Sequence, residues 1–132
     1  MTRGNTAVAL GLALFTAPPV FAQVRMDVPV MIGGSADHDA CPSEGMIVGL
    51  NPRGDGFLSV RSGPTGAYAE IDRLYNGNPV HICGDSGSWM AVVYGGDGGK
   101  CGVSRALARR LAYTGPCKYG WVSSHYVSVT AG

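Results

Sequence analysis

Phe57-Leu58-Ser59-Val60-Arg61-Ser62-Gly63-Pro64 is the stretch on which the architecture turns. Leu58 and Val60 alternate with Ser59 and Arg61, the period-two pattern of a strand with one buried face. Ser62-Gly63-Pro64 stops it, because glycine tolerates turn geometry and proline donates no backbone hydrogen bond. A strand this short, closed this abruptly, belongs to an all-β domain of many short strands.

The neighbouring segments repeat the pattern. Upstream, Met46-Ile47-Val48-Gly49-Leu50 reads as a strand, ended by the turn at Asn51–Gly56. Downstream, Ile71 and Leu74 lead into Asn76-Gly77-Asn78, a tight-turn signal. Pro79–Cys83, Trp89–Tyr94 and Tyr119–Val122 are further strands. Ser123–Tyr126 suits one tight helical turn before a last strand, Val127–Val129. Twenty-one glycines and eight prolines agree with frequent turns.

The chain opens with Met1-Thr2-Arg3, then the apolar run Ala7–Phe15, then Val20-Phe21-Ala22. A positive start, an apolar run too short to span a bilayer and small residues at a cleavage point make residues 1–22 a signal peptide, cut after Ala22. That leaves 110 of the 132 residues, enough for one small domain. Without Arg3, nine Lys and Arg face nine Asp and Glu, so no global field favours nucleic acid. No transmembrane segment is expected in the mature chain.

Within residues 23–40, Val28-Pro29-Val30-Met31-Ile32 could form an edge strand, but Gly33-Gly34-Ser35 and Asp37-His38-Asp39 favour a flexible leader. Two carboxylates and one imidazole there are a weak basis for a metal site, and none is expected. The four cysteines, Cys41, Cys83, Cys101 and Cys117, point to two disulfides in an exported chain. Of the three pairings open, Cys101–Cys117 with Cys41–Cys83 is preferred, because the former pair brackets one glycine- and arginine-rich segment. A four-cysteine zinc site would want CxxC pairs, which are absent. Within that segment, Ser104–Ala112 is either a short helix capped by Ser104 or an irregular loop held by the disulfide.

Five motifs in one order give the chain a family resemblance. Phe57–Pro64 resembles the "LNVRSGP" signature of bacterial SH3 domains. Tyr68 and Ile71 resemble its "Y-x-x-I", and Leu74–Val80 its "L-x-x-G-x-x-V" hairpin. Ser88–Val92 resembles its "GWxxV", with serine for glycine, and Gly120–Val127 its closing "GWVxxxYL". The resemblance runs from about Met46 to Val129. It implies a small SH3-like barrel of about five strands, here over residues 41–132, with a long disulfide-closed loop at 95–118. It also implies a non-catalytic binding module of the cell envelope. The implied partner is peptidoglycan peptide or another envelope component. The alternative is a protein–protein interaction module or inhibitor that uses the inserted loop 101–117. No cofactor is expected.

Within that frame, Tyr68, Trp89, Trp121 and Tyr126 are the candidate ligand contacts, each with core packing as the competing role. Arg109 and Arg110 join them, from a basic cluster with Lys100, Arg105 and Lys118. Forked guanidinium groups could recognise carboxylate or phosphate. Gly84-Asp85-Ser86-Gly87 resembles the nucleophile segment of a chymotrypsin-like protease. Ser88-Trp89 follows it into a strand, and such proteases need two barrels, so the string is read as a turn. A small hydrolase using Ser86 is the weaker third reading. Arg53-Gly54-Asp55 is likewise read as an exposed turn.

Overall fold

The computed structural model describes residues 4–17, 27–96 and 100–132. Residues 4–17 form neither helix nor strand and are exposed. The expected cleavage after Ala22 lies outside the described residues. So do residues 97–99 of the glycine-rich start of the inserted loop. Among the described residues, no helix is long and apolar enough to cross a membrane.

The fold is all-β. Its strands are β1 (Met31–Ile32), β2 (Ser35–Asp39), β3 (Ser43–Ile47), β4 (Leu58–Arg61), β5 (Glu70–Leu74), β6 (Pro79–Ser86), β7 (Trp89–Tyr94), β8 (Ala106–Leu107), β9 (Leu111–Ala112), β10 (Lys118–Ser123) and β11 (Val127–Ala131). One turn of 3-10 helix, Ser124–Tyr126, precedes β11. Seven strands form one antiparallel sheet in the order β11-β3-β6-β7-β10-β4-β5. The sheet is open, with β11 and β5 at its edges.

The sheet nevertheless curls. Ile47 from β3, Leu58 and Val60 from β4, Leu74 from β5 and Val122 from β10 share one buried cluster with Val80, Ile82, Val92 and Tyr94. Strands at opposite ends of a flat sheet could not meet in this way. The turn after β5 draws the curl tight. Asn76 accepts a hydrogen bond from Leu50 N at 3.0 Å and donates one to Leu50 O at 2.9 Å, copying a strand partner. Between β10 and β4 the ladder narrows to one pair, Trp121 opposite Arg61. Gly120 permits this approach, since a Cβ there would collide with the Val60 side chain.

Strand boundaries differ from the sequence reading where local turn chemistry decides. The strand expected at Met46–Leu50 is Ser43–Ile47, because the chain turns at Gly49 with φ of 78°. The Gly84–Gly87 string is not a turn. Gly84, Asp85 and Ser86 continue β6, and Ser86 pairs with Trp89. The loop is only Gly87-Ser88, with Gly87 at φ 59°, the positive value that a two-residue hairpin needs at its first position.

The larger departure concerns residues 23–40. From Val28 onward they are not a loose leader. Val30 and Ile32 are buried. Met31 and Ile32 pair with Ala112 and Leu111, and β2 pairs with β8. The segment Ser104–Ala112 forms no helix. A lone helix of that length is marginal, and its backbone instead bonds to the N-terminal segment. Gly34 N donates to Leu107 O (2.9 Å), Ala40 N to Arg105 O (2.7 Å) and Tyr113 N to Val30 O (2.8 Å).

Together the two segments form a second layer over the outer face of β6, β7 and β10. Its cluster joins Val30, Ile32, Val103 and Tyr113 to Ala91, Val93 and Trp121. This explains why Ala91 through Tyr94 are all buried, although an antiparallel strand commonly has one wet face. Both disulfides hold this layer. Cys41–Cys83 ties the N-terminal segment to β6, and Cys101–Cys117 closes the inserted loop. The β6–β7 register shifts between Ile82 and Gly84, so Cys83 sits at a bulge and packs against the outer cluster. Tyr113 braces the second bridge. Its hydroxyl donates to Cys101 O at 2.7 Å and accepts from Cys117 N at 3.1 Å.

Candidate functional site

The six residues singled out from the sequence do not converge on one surface. Trp121 is 8% exposed and lies within the outer cluster. Its indole N–H donates to Val28 O at 2.9 Å. An accessible ligand contact at Trp121 is therefore ruled out by the chain's own N-terminal segment. Trp89 is half-buried and packs against that same cluster. Tyr126 is half-buried against the inner cluster, with its ring edge-on to His125 at 4.9 Å between centroids. Tyr68 is half-buried, its ring lying over Gly63. Arg109 and Arg110 are exposed between β8 and β9, far along the chain from the motif-bearing hairpin.

A concavity lies elsewhere. A groove of about 1000 Å³ is lined by Asp72, Arg73 and Tyr75 from β5 and its turn, by Glu44, Met46 and His81 from β3 and β6, and by Lys118 from β10. Buried Leu74, Val80 and Tyr94 also line it. A smaller cleft of about 400 Å³ adjoins it, with Ile71 and Tyr119 as its apolar walls. Asp72, Tyr94, Cys117 and Lys118 line both. The lining includes exposed large apolar side chains: Met46, Ile71, Tyr75 and Tyr119 are all between 40% and 53% exposed.

Asp72 is the electrostatic centre of this region. Its Oδ2 accepts the Tyr94 hydroxyl at 2.8 Å, and its Oδ1 accepts Arg73 N at 2.9 Å. The Tyr94 hydrogen bond, then the Arg73 amide, then the positive charge of Lys118 hold the Asp72 carboxyl below its ordinary value. Burial, then donation to Asp72, pushes the Tyr94 phenol up, beyond the ordinary tyrosine range. The two nearby cations differ in commitment. Arg73 Nε bonds Glu70 at 2.6 Å, and its guanidinium lies 3.8 Å from the Phe57 ring centroid. Lys118 Nζ is 3.5 Å from Asp72 Oδ2, and its side chain is 72% exposed.

None of the six sequence candidates lines either cavity. The residues that do come from six strands, and no contiguous motif contains all of them. The Leu74–Val80 hairpin, Ile71 and Lys118 were singled out in the sequence, but Asp72 and Arg73 lay outside every motif. Among the described residues, no cluster of three or more His, Cys, Asp or Glu could hold a metal ion.

No family model, no curated protein and no solved structure matches the chain.

Proposed function

We propose that the chain is an exported, non-catalytic binding module of the cell envelope, built on an SH3-like barrel, and that it takes cell-wall peptide. The strand order β11-β3-β6-β7-β10, five neighbours with a 3-10 turn before the last, supports the barrel reading. So does the hairpin β4–β5, which carries the Phe57–Pro64 signature. Two disulfides support an oxidising compartment, and with the N-terminal signal pattern they favour export.

The observation that carries the functional reading is the groove. It offers exposed aromatic and aliphatic side chains beside carboxylates and cations of both kinds. A short peptide bearing amines and carboxylates matches such a lining better than a uniformly charged polymer does. Co-sedimentation with purified peptidoglycan sacculi tests this. The protein should pellet with the sacculi, and Tyr75→Ala, which removes an exposed ring from the groove, should weaken retention severalfold. A protein that stays in the supernatant at low salt overturns the reading.

A second reading has its own observation. Arg105, Arg109 and Arg110 are exposed on the second layer and make no ion pair among the described residues. They support capture of an acidic envelope protein by the inserted loop. Pull-down from envelope extract, with Arg109→Ala and Arg110→Ala together, distinguishes the two.

A further inference from the structure

Asp72 is built as an acceptor with one replaceable donor. Two neutral groups fix its carboxylate: the buried Tyr94 hydroxyl and the Arg73 backbone amide. Both are donors that the fold holds in place. Lys118 is different. It reaches Asp72 from a mostly exposed side chain at 3.5 Å, the longest polar contact Asp72 makes. Exposed pairs of that kind are worth about 0–1 kcal/mol and are readily exchanged. Lys118 is thus a tethered ammonium, loosely seated on a carboxylate positioned by other groups.

The cleft beside that carboxylate supplies the rest of a binding site. Ile71 and Tyr119 wall it, and both are half exposed. Tyr119 lies edge-on to buried Tyr113, at 5.8 Å between centroids, which orients its ring. The opening is about 400 Å³, ample for an aliphatic chain of a few carbons. Apolar walls that lead to a pre-positioned carboxylate match an alkyl stem ending in a primary ammonium.

We propose that Asp72, Ile71 and Tyr119 form a recognition site for an alkyl primary ammonium, the chemistry of a lysine-type side chain, and that Lys118 competes with this ligand for Asp72. The proposal rests on the reading of the groove region as the ligand site, and it names one ligand group for it.

The test uses small probes on the intact protein, read from backbone amide chemical shifts. Titration with Nα-acetyl-lysine methylamide should shift the amides of Ile71, Asp72, Lys118 and Tyr119 saturably. The norleucine analogue, which has the same stem without the charge, should not. Lys118→Gln removes the competitor and should tighten binding by about fivefold, the upper range for a surface pair. Asp72→Asn should abolish it. Equal shifts from the norleucine probe, or no tightening in Lys118→Gln, overturn the proposal. Should Asp72→Asn fail to fold, the Lys118→Gln titration decides alone, because that side chain is exposed. Probe binding without sacculus binding upholds the ammonium site and overturns the cell-wall reading. Sacculus binding without probe binding does the reverse.

Discussion

Val30→Ala should destabilise the protein by about 2.5 kcal/mol, although Val30 lies in a stretch that reads as a linker. Val30 is 1% exposed and packs in the outer cluster with Val93, Val103, Tyr113 and Trp121. The substitution removes two methyl groups, worth about 0.8 kcal/mol each in transfer terms, or about 1.6 kcal/mol together. Partial collapse of the surrounding side chains leaves a cavity that adds about 1 kcal/mol. The backbone bond from Tyr113 N to Val30 O survives, so no unsatisfied polar group enters the sum.

Urea unfolding followed by tryptophan fluorescence measures this directly, since Trp121 sits in the same cluster. With an m-value of about 1–1.5 kcal/mol per molar for a domain this small, the midpoint should fall by about 2 M. Val129→Ala is the control. Val129 is 56% exposed on edge strand β11, and its loss should cost less than about 0.5 kcal/mol. A Val30→Ala midpoint equal to that control would refute the reasoning. It would mean that residues 28–40 contribute no core and that the second layer does not form.

Removing the disulfides should cost unequal amounts. Their sequence separations are 42 and 16. The chain-entropy account then gives about 4 kcal/mol for Cys41→Ala with Cys83→Ala, and about 3 kcal/mol for Cys101→Ala with Cys117→Ala. The sum rivals the whole stability of a small domain, so the fully reduced protein should be unfolded by spectroscopy; a native spectrum after full reduction contradicts this. Tyr94 should ionise above the ordinary tyrosine range on alkaline titration followed by phenolate absorbance. Its folded value lies above the unfolded one. Its contribution to stability is therefore complete below the unfolded value near 10 and fades as pH rises through the folded value. Tyr94→Phe should delete that late step. It should also raise the Asp72 carboxyl, whose first cause of depression is the Tyr94 hydroxyl. At the acid end, the Asp72 contribution holds above its unfolded value of 3.8 and disappears as pH falls through the lower folded value. A titration with no late step for Tyr94→Phe to remove would contradict the buried Tyr94–Asp72 pair.

Strands β4, β6, β7, β10 and β11 were legible because their signals are local. Alternation in Leu58–Arg61 and the stops at Ser62-Gly63-Pro64 and Asn76-Gly77-Asn78 need no distant partner. The second layer was not legible in that way. Val28, Val30 and Ile32 are three apolar residues at period two, but Pro29 interrupts them, and two glycines and three charged or titratable side chains follow. The partner of β1, β9, is two residues long and lies about eighty residues away in sequence. The local signal for an edge strand at Val28–Ile32 was outweighed by the glycines and polar residues that follow it. An indirect signal existed in Trp89–Tyr94, whose residues are apolar at every position. The curled sheet needs only Val92 and Tyr94 for its inner core. Ala91 and Val93 therefore required a cover, and the N-terminal segment and the inserted loop were the remaining chain that could supply it.

The groove was missed because residue type was read without strand parity. Trp121 was favoured as a large ring with a polar edge, and it does make a hydrogen bond through that edge, but to Val28 O of its own chain. In β10, Trp121 pairs with Ala91 and Lys118 pairs with Tyr94. The two are three positions apart, an odd number, so they project from opposite faces. Ala91 belongs to the outer cluster and Tyr94 to the inner one. The parity that puts Trp121 beneath the second layer therefore puts Lys118 beside the Tyr94–Asp72 pair. Asp72 reaches the same place from β5, in register with Val60 of β4. A motif can name the strand that carries a side chain, but only the register between strands determines which residues meet. That is why the conspicuous aromatic became core, and why a lysine and an aspartate 46 residues apart in sequence came to frame the groove.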